Sequence, residues 1–167
     1  ERLVDLDPHK LTDLERAARF LYLQRTAFGG KVVGQNFGVT LTGGARFDLT
    51  KLVPLLEDVH ERLCGVDIER MPYAELLDRY DTPGTLFYLD PPYHGTEEVY
   101  GKGVFSEADF DFLRGILEAV KGRFVMSIND TPQIRATFAG FTIEEVDLNY
   151  RLSGKVTPAR ELIISGP

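Results

Sequence analysis

The 167-residue sequence contains a single cysteine, Cys64, and no apolar run approaching the roughly 20 residues that cross a bilayer. One cysteine cannot form an internal disulfide, and without a second cysteine near the three histidines a zinc site is not expected. The first ten residues lack the apolar segment of a signal peptide. These absences predict a cytoplasmic protein without a structural metal, in which Cys64 is packed in the core.

The charge balance is acidic, with 26 Asp and Glu residues against 19 Lys and Arg residues and a formal net charge of −7. Phosphate binding requires clustered basic side chains, so this balance argues against a large nucleic-acid footprint. Residues 19–51 differ from the rest, because they contain five basic residues and one acidic residue. This segment is compatible with one polyanion-binding face on an acidic protein.

Strand and helix patterns alternate along the sequence, which is typical of an α/β sheet. Capping signals at Thr12 with Glu15, at Thr50 and at Ser106 with Asp109, together with glycine stop signals, predict the helix bounds. The predicted helices cover residues 13–25, 50–63, 72–80, 106–121 and 131–140. Apolar runs predict strands over residues 66–68, 85–89, 123–130, 141–150 and 159–165, of which the last two are antiparallel. Residues 26–48 contain six glycines and predict a loop, with or without a short hairpin.

The stretch TLFYLDPPYHG, residues 85–95, is a strand pattern that ends in an acid and two prolines. Consecutive prolines end a strand rigidly, because each lacks an amide hydrogen and fixes its own φ. Ligands of open α/β sheets bind beyond the carboxyl ends of the strands, so this strand end is a candidate site. Ser127, Asn129 and Asp130 lie at the end of another predicted strand and belong either to a ligand site or to a helix-capping turn.

The residues Asp90-Pro91-Pro92-Tyr93 can hold a planar amine. The Asp90 carboxylate and the Pro91 carbonyl, whose direction the prolines fix, can together accept both hydrogens of an NH₂ group, and the Tyr93 ring offers a stacking face. Two acceptors on a heteroaromatic amine disfavour delocalisation of its lone pair, so its nitrogen can attack an electrophilic methyl group. Asp90 need not be a strong base, because the proton can leave after the nitrogen has become positively charged.

The motif DPPY preceded by LFYL resembles motif IV of the amino-methyltransferases, which use S-adenosylmethionine. The segments ERAARFLYLQRTAFGG, YDTPGTLFYLDPPY, GRFVMSINDTPQIR and ELIIS run in the order seen in Dam-type, or alpha-group, adenine-N6 DNA methyltransferases, and the similarity covers nearly all 167 residues. The resemblance implies a Rossmann-like methyltransferase sheet with an inserted helical and loop region for target recognition. Residues 1–50 would be this DNA-binding region and residues 51–167 the C-terminal part of the catalytic domain.

The resemblance also implies roles for individual residues. S-adenosylmethionine would donate a methyl group, without a metal, to an adenine flipped out of double-stranded DNA into a pocket formed by the four DPPY residues. Asp90 and Tyr73 would contact S-adenosylmethionine. Basic residues would grip phosphates, and Gln35 or Asn36 would reach base edges. The candidate DNA contacts are Arg25, Lys31, Gln35, Asn36, Arg46, Asn129 and Lys155.

Two features of the sequence differ from the family pattern. Family members usually present an acid and an aromatic residue after the strand corresponding to residues 66–68, where this chain has Pro72 and Tyr73. The glycine-rich FxGxG motif and its strand are not found, which would leave the 85–89 strand with an exposed apolar edge. Either an N-terminal segment or a second chain completes the S-adenosylmethionine site, or the chain is a non-catalytic DNA-binding remnant. Cytosine-N4 methylation, which uses the same platform, is the neighbouring alternative.

Overall fold

The computed structural model describes residues 3–27, 47–97, 103–152 and 155–167, with the side chains of residues 151, 152, 155 and 156 left undescribed. The chain divides into two compact units, Glu1–Ile68 and Glu69–Pro167. Most of the glycine-rich segment predicted as a loop or hairpin lies outside the described residues. The predicted functional division after residue 50 stays a prediction.

The first unit is helical in its described parts. It contains two short 3₁₀ turns, Leu3–Asp5 and Pro8–Lys10, followed by helices α1 (Asp13–Thr26) and α2 (Leu49–Leu63). Helix α1 begins with the predicted capping box, in which the Glu15 carboxylate accepts a hydrogen bond from the Thr12 amide at 2.9 Å. The start of α1 is therefore determined locally, by two residues three positions apart.

Three predictions for the first unit were wrong. Helix α2 begins at Leu49, because its N-cap is Asp48, whose carboxylate accepts from the amide and the hydroxyl of Thr50 at 3.0 and 2.6 Å. Residues 66–68 form no strand and are exposed, since no described strand pairs with them. Cys64 is exposed, because it caps the carboxyl end of α2 rather than lying on a buried face.

The second unit is a mixed α/β fold, as predicted. The elements are α3 (Tyr73–Tyr80), β1 (Leu86–Leu89), α4 (Glu107–Leu117), β2 (Arg123–Asn129), α5 (Pro132–Thr137), β3 (Thr142–Leu152) and β4 (Lys155–Gly166). The described sheet has the order β1-β2-β4-β3, in which β1 and β2 are parallel and the other two pairs are antiparallel. Two helices end earlier than predicted, and the last two strands extend into the predicted connecting loop.

Helix α4 covers the sheet with an apolar stripe. Phe110, Leu113 and Leu117 recur at helical spacing and are buried. They belong to one core cluster with alternate residues of β2 and β4, including Met126 and Ile164. Full burial of each such side chain is worth about 1.5–3 kcal/mol, so α4 holds the sheet chiefly through this stripe.

The two ends of the sheet differ. Strand β1 pairs with β2 and is an edge strand of the described sheet, with Leu86 and Tyr88 exposed on one of its faces. Strands β3 and β4 continue as a two-stranded ribbon beyond Asn129, where the pairing of β2 with β4 ends. Across the described parts of the chain, no helix combines the length and the apolar character that a membrane span requires.

The buried stripe of α4 gives a direct stability test. Phe110→Ala is expected to lower the free energy of unfolding by about 3–5 kcal/mol, because it removes a buried ring and leaves a cavity. Phe112→Ala is the matched control on the same helix, since Phe112 is 58% exposed and Phe110 is 2% exposed. Urea unfolding followed by circular dichroism measures both variants, and equal losses would contradict this packing.

Candidate active site

The parallel pairing of β1 with β2 brings two predicted site segments together. Leu89 is paired with Met126, so the next residues, Asp90 and Ser127, lie at the same level. The Ser127 hydroxyl donates to Asp90 Oδ1 at 3.3 Å. The carboxyl ends of these two strands therefore form one site, as expected for parallel strands.

The Asp90 carboxylate is exposed and is oriented from one side. The Ser127 hydroxyl lies 2.9 Å from the Tyr88 hydroxyl and also contacts Asp90. A hydroxyl has one hydrogen, so when Ser127 donates to Asp90, Tyr88 is the donor to Ser127. This chain of hydrogen bonds holds Oδ1, whereas Oδ2 accepts no hydrogen bond from the described residues.

The Tyr93 side chain is anchored at its hydroxyl. Tyr93 and Tyr150 both donate to Glu161 Oε1, and their hydroxyl oxygens lie 3.2 Å apart. Burial and the hydrogen bond to Glu161 raise the pKa of Tyr93, and the hydrogen bond to Glu161 raises the pKa of Tyr150. Both phenols are therefore protonated donors at neutral pH.

The segment after Tyr93 is attached to β2 through Asn129. The Asn129 Oδ1 accepts from the His94 amide at 2.8 Å, and its Nδ2 donates to the His94 carbonyl at 3.0 Å. A turn follows, in which the Thr96 amide donates to the Tyr93 carbonyl at 2.9 Å and Gly95 has φ +88°. That φ favours glycine, and the turn ends the DPPY segment in a defined direction.

Tyr73, the predicted cofactor contact, lies at the start of α3. Its hydroxyl donates to Asp109 Oδ1 at 3.3 Å, and its ring centroid lies 6.0 Å from that of Phe105 and 6.3 Å from that of Phe112. Burial and the Asp109 charge raise the pKa of Tyr73 to about 12. The contacts described for Tyr73 are thus with α4 and the residues before it, and its cofactor role stays a prediction.

The predicted DNA contacts are only partly described. Arg25 is exposed in the last turn of α1, in the first unit. Asn129 lies at the site, but both ends of its amide are bonded to His94, as described above. The backbone of Lys155 begins β4, but its side chain is not described. The remaining four lie outside the described residues: Lys31, Gln35, Asn36 and Arg46.

The polar residues at the end of β2 and just after it make two kinds of contact. Ser127 and Asn129 reach the DPPY segment, whereas the Thr131 hydroxyl caps α5 by accepting from the Ile134 amide at 3.2 Å. Asp130 binds the Arg135 guanidinium through both oxygens at 2.6 and 2.8 Å. The functional role of these residues stays a prediction.

Sequence reasoning missed two residues of the site, Glu161 and Tyr150. The available signal for Glu161 was a lone acid inside the apolar run of β4, ELIIS. Its side chain is 8% exposed, and a buried acid requires hydrogen-bond donors that the local sequence does not supply. Tyr150 had no distinguishing local signal.

The fold and the site together define an α/β protein with a candidate amine-binding site at the carboxyl edge of two parallel strands. The chain belongs to the family of D12 class N6 adenine-specific DNA methyltransferases, whose family model matches residues 5–152. This membership confirms the resemblance to adenine-N6 DNA methyltransferases.

One curated relative is the Type II methyltransferase M.CviBI of Paramecium bursaria Chlorella virus NC1A. It is 26% identical to this chain over 145 residues, which cover 84% of this chain and 55% of the relative. The chain therefore spans about half the length of the curated relative that it matches.

The Asn129 bridge gives a test of how the site is held. Asn129→Ala is expected to accelerate hydrogen exchange at the His94 amide, because the mutation removes the oxygen that accepts from it. Asn149→Ala, at an exposed position of β3, is the control and should leave that exchange rate unchanged. NMR measures the hydrogen-exchange rate of the His94 amide in both variants. An unchanged rate in Asn129→Ala would show that the bridge does not protect this segment.

Proposed function

We propose that this chain is the recognition and catalytic portion of an adenine-N6 DNA methyltransferase that uses S-adenosylmethionine. The observation that carries the proposal is the arrangement at the end of β1, where an exposed carboxylate and an anchored tyrosine flank two prolines. Membership of the D12 class family supports the choice of adenine N6 as the acceptor.

Asp90 and Pro91 bind the amine of the flipped adenine. Ser127 occupies Asp90 Oδ1, so Oδ2 is left to accept one amine hydrogen. The Pro91 carbonyl accepts the other hydrogen, and these two hydrogen bonds keep the lone pair on N6. S-adenosylmethionine, when bound, supplies a methyl group on a positively charged sulfur. Once N6 carries the methyl group and a positive charge, Asp90 or water would take its proton.

Tyr93 holds the adenine by stacking. Its hydroxyl is bound to Glu161, so its ring face rather than its hydroxyl is presented to the base. Enzymes that modify a base inside a duplex extrude it and hold it against aromatic side chains. The ring and the two acceptors then define both the plane and the rotation of the base.

The residues that would hold S-adenosylmethionine are Asp90 and Tyr73. The exposed Asp90 carboxylate fits a ligand that carries positive charge. The Tyr73 hydroxyl is already bound to Asp109, which leaves its partly buried ring as the contacting surface. A carboxylate acceptor and a ring face are each compatible with the cofactor.

A further strand completes the sheet and the cofactor site in the whole protein, giving a Rossmann-like methyltransferase sheet. Support comes from the edge position of β1 in the described sheet and from the exposed side chains of Leu86 and Tyr88. An exposed apolar edge strand is a pairing site for another strand. The additional strand comes from an N-terminal segment or from a second chain.

Double-stranded DNA is the proposed substrate, and residues 1–50 are its proposed recognition region. The acidic net charge of −7 makes a localised contact surface necessary, because phosphate binding requires clustered basic groups. Arg25, Lys31 and Arg46 are the proposed phosphate contacts. Gln35 and Asn36 are the proposed base contacts, Asn129 would lie beside the flipped base, and Lys155 is a proposed contact to the DNA backbone.

The role of Asp90 is tested by methyl transfer from tritiated S-adenosylmethionine to unmethylated DNA, using the complete protein. Asp90→Ala is expected to lower the rate by about 10²–10⁴-fold, because it removes one of the two amine acceptors. Asp111→Ala, an exposed acid on α4, is the control and should retain activity. Labelling by Asp90→Ala at the parent rate would contradict the assigned role. Nuclease digestion of the labelled DNA identifies the methylated base. Detection of N4-methylcytosine would show that cytosine, rather than adenine, is the target.

Calorimetry with S-adenosylmethionine tests the completing strand. The 167-residue chain alone is expected to give no binding heat, whereas the complete protein should bind. Binding by the 167-residue chain would show that no further strand is needed. A complete protein that binds DNA in a salt-sensitive way but gives no heat with S-adenosylmethionine would be a non-catalytic DNA-binding module.

A further inference from the structure

Glu161 is a buried acid that no described basic side chain pairs with. It is 8% exposed and lies in β4 next to Leu162, which is fully buried. Burying a carboxylate is unfavourable unless hydrogen-bond donors surround it. The donors that reach Glu161 therefore have to account for a carboxylate at this position.

Three separate parts of the fold meet at this carboxylate. Tyr93 comes from the segment after β1, Tyr150 comes from β3, and Glu161 comes from β4. Both phenols donate to the same oxygen, Oε1. The two hydroxyl oxygens are 3.2 Å apart, so Tyr150 also limits where the Tyr93 hydroxyl can move.

This contact fixes the far end of the Tyr93 side chain. Pro91 and Pro92 restrict the backbone at the near end, because each fixes its own φ. A phenolic hydrogen lies in the plane of the ring, so an acceptor at a fixed place favours one ring plane. The ring is therefore constrained both in position and in rotation about its long axis.

We propose that Glu161 and Tyr150 are positioning residues that set the ring plane of Tyr93 for the stacked base. This inference rests on the proposed function, since the stacked base is its substrate. Neither residue touches the reacting atoms. Glu161 acts through the Tyr93 hydroxyl, and Tyr150 acts by occupying the same oxygen and restricting the position of that hydroxyl.

The decisive variant is Glu161→Leu, which keeps an apolar side chain of similar size in an apolar strand. It is expected to fold, with a somewhat lower urea midpoint than the parent, because two phenols lose their acceptor. Its kcat for methyl transfer should fall by roughly 10–10²-fold through misplacement of the base, with the KM for S-adenosylmethionine unchanged. Glu161→Gln retains an acceptor oxygen and should recover most of the lost rate. Glu144→Leu, at an exposed position of β3, is the control.

Tyr93→Phe should reproduce the Glu161→Leu defect, because both changes remove the same hydrogen bond. The double variant is then expected to be no slower than Glu161→Leu, as for two residues that act as one unit. Additive losses would overturn the inference, as would a Glu161→Leu variant with the kcat of the parent.

Ring order is measured independently of activity by NMR of ring-labelled tyrosine. Glu161→Leu is expected to increase the ring-flip rate of Tyr93, and an unchanged rate would overturn the inference whatever the activity. A parent protein that transfers no methyl group would overturn the proposed function instead. The two failures are therefore distinguishable.

Discussion

The parallel register between β1 and β2 is the constraint on which the candidate site depends. It places Asp90 level with Ser127 and Phe87 in the core. Successive side chains of a strand point to opposite faces, so a slip of one residue would expose Phe87 and turn Asp90 away from the edge. The burial of Phe87 and of its neighbours on β2 therefore determines where the carboxylate lies. The packing of the apolar core and the geometry of the polar site therefore depend on the same register.

Each functional group at this edge is held by a partner on a neighbouring strand. Ser127 on β2 orients Asp90, Asn129 at the end of β2 holds the backbone at His94, and Glu161 on β4 holds Tyr93. The DPPY segment itself contributes rigidity through its prolines but few hydrogen bonds. Preorganisation of this kind reduces the ordering that binding would otherwise require. Residues of β2 and β4 therefore hold the candidate site as much as the DPPY motif itself does.

Whether a feature of the fold or the site could be predicted from the sequence depends on how many positions separate the interacting residues. The capping boxes at Thr12 and Ser106 and the stop after β1 depend on residues a few positions apart, and all three were predicted. The contact between Tyr93 and Glu161 joins residues 68 positions apart, and no local sequence pattern predicts it. Residues 66–68 show the converse case. Their composition favours a strand, yet a strand needs a hydrogen-bonded neighbour, and the described part of the chain provides none.

The ribbon of β3 and β4 that continues past Asn129 differs from the sheet in how it tolerates a change of length. Inside the sheet, where β4 pairs with β2, such a change would shift Glu161 out of line with its partners. Beyond that point no third described strand lies beside the ribbon, so the loss of a residue pair would shorten the ribbon without changing the register below. Because Tyr150 lies within the ribbon, opposite Thr157, the ribbon must still extend at least that far past the sheet for Tyr150 to reach Glu161.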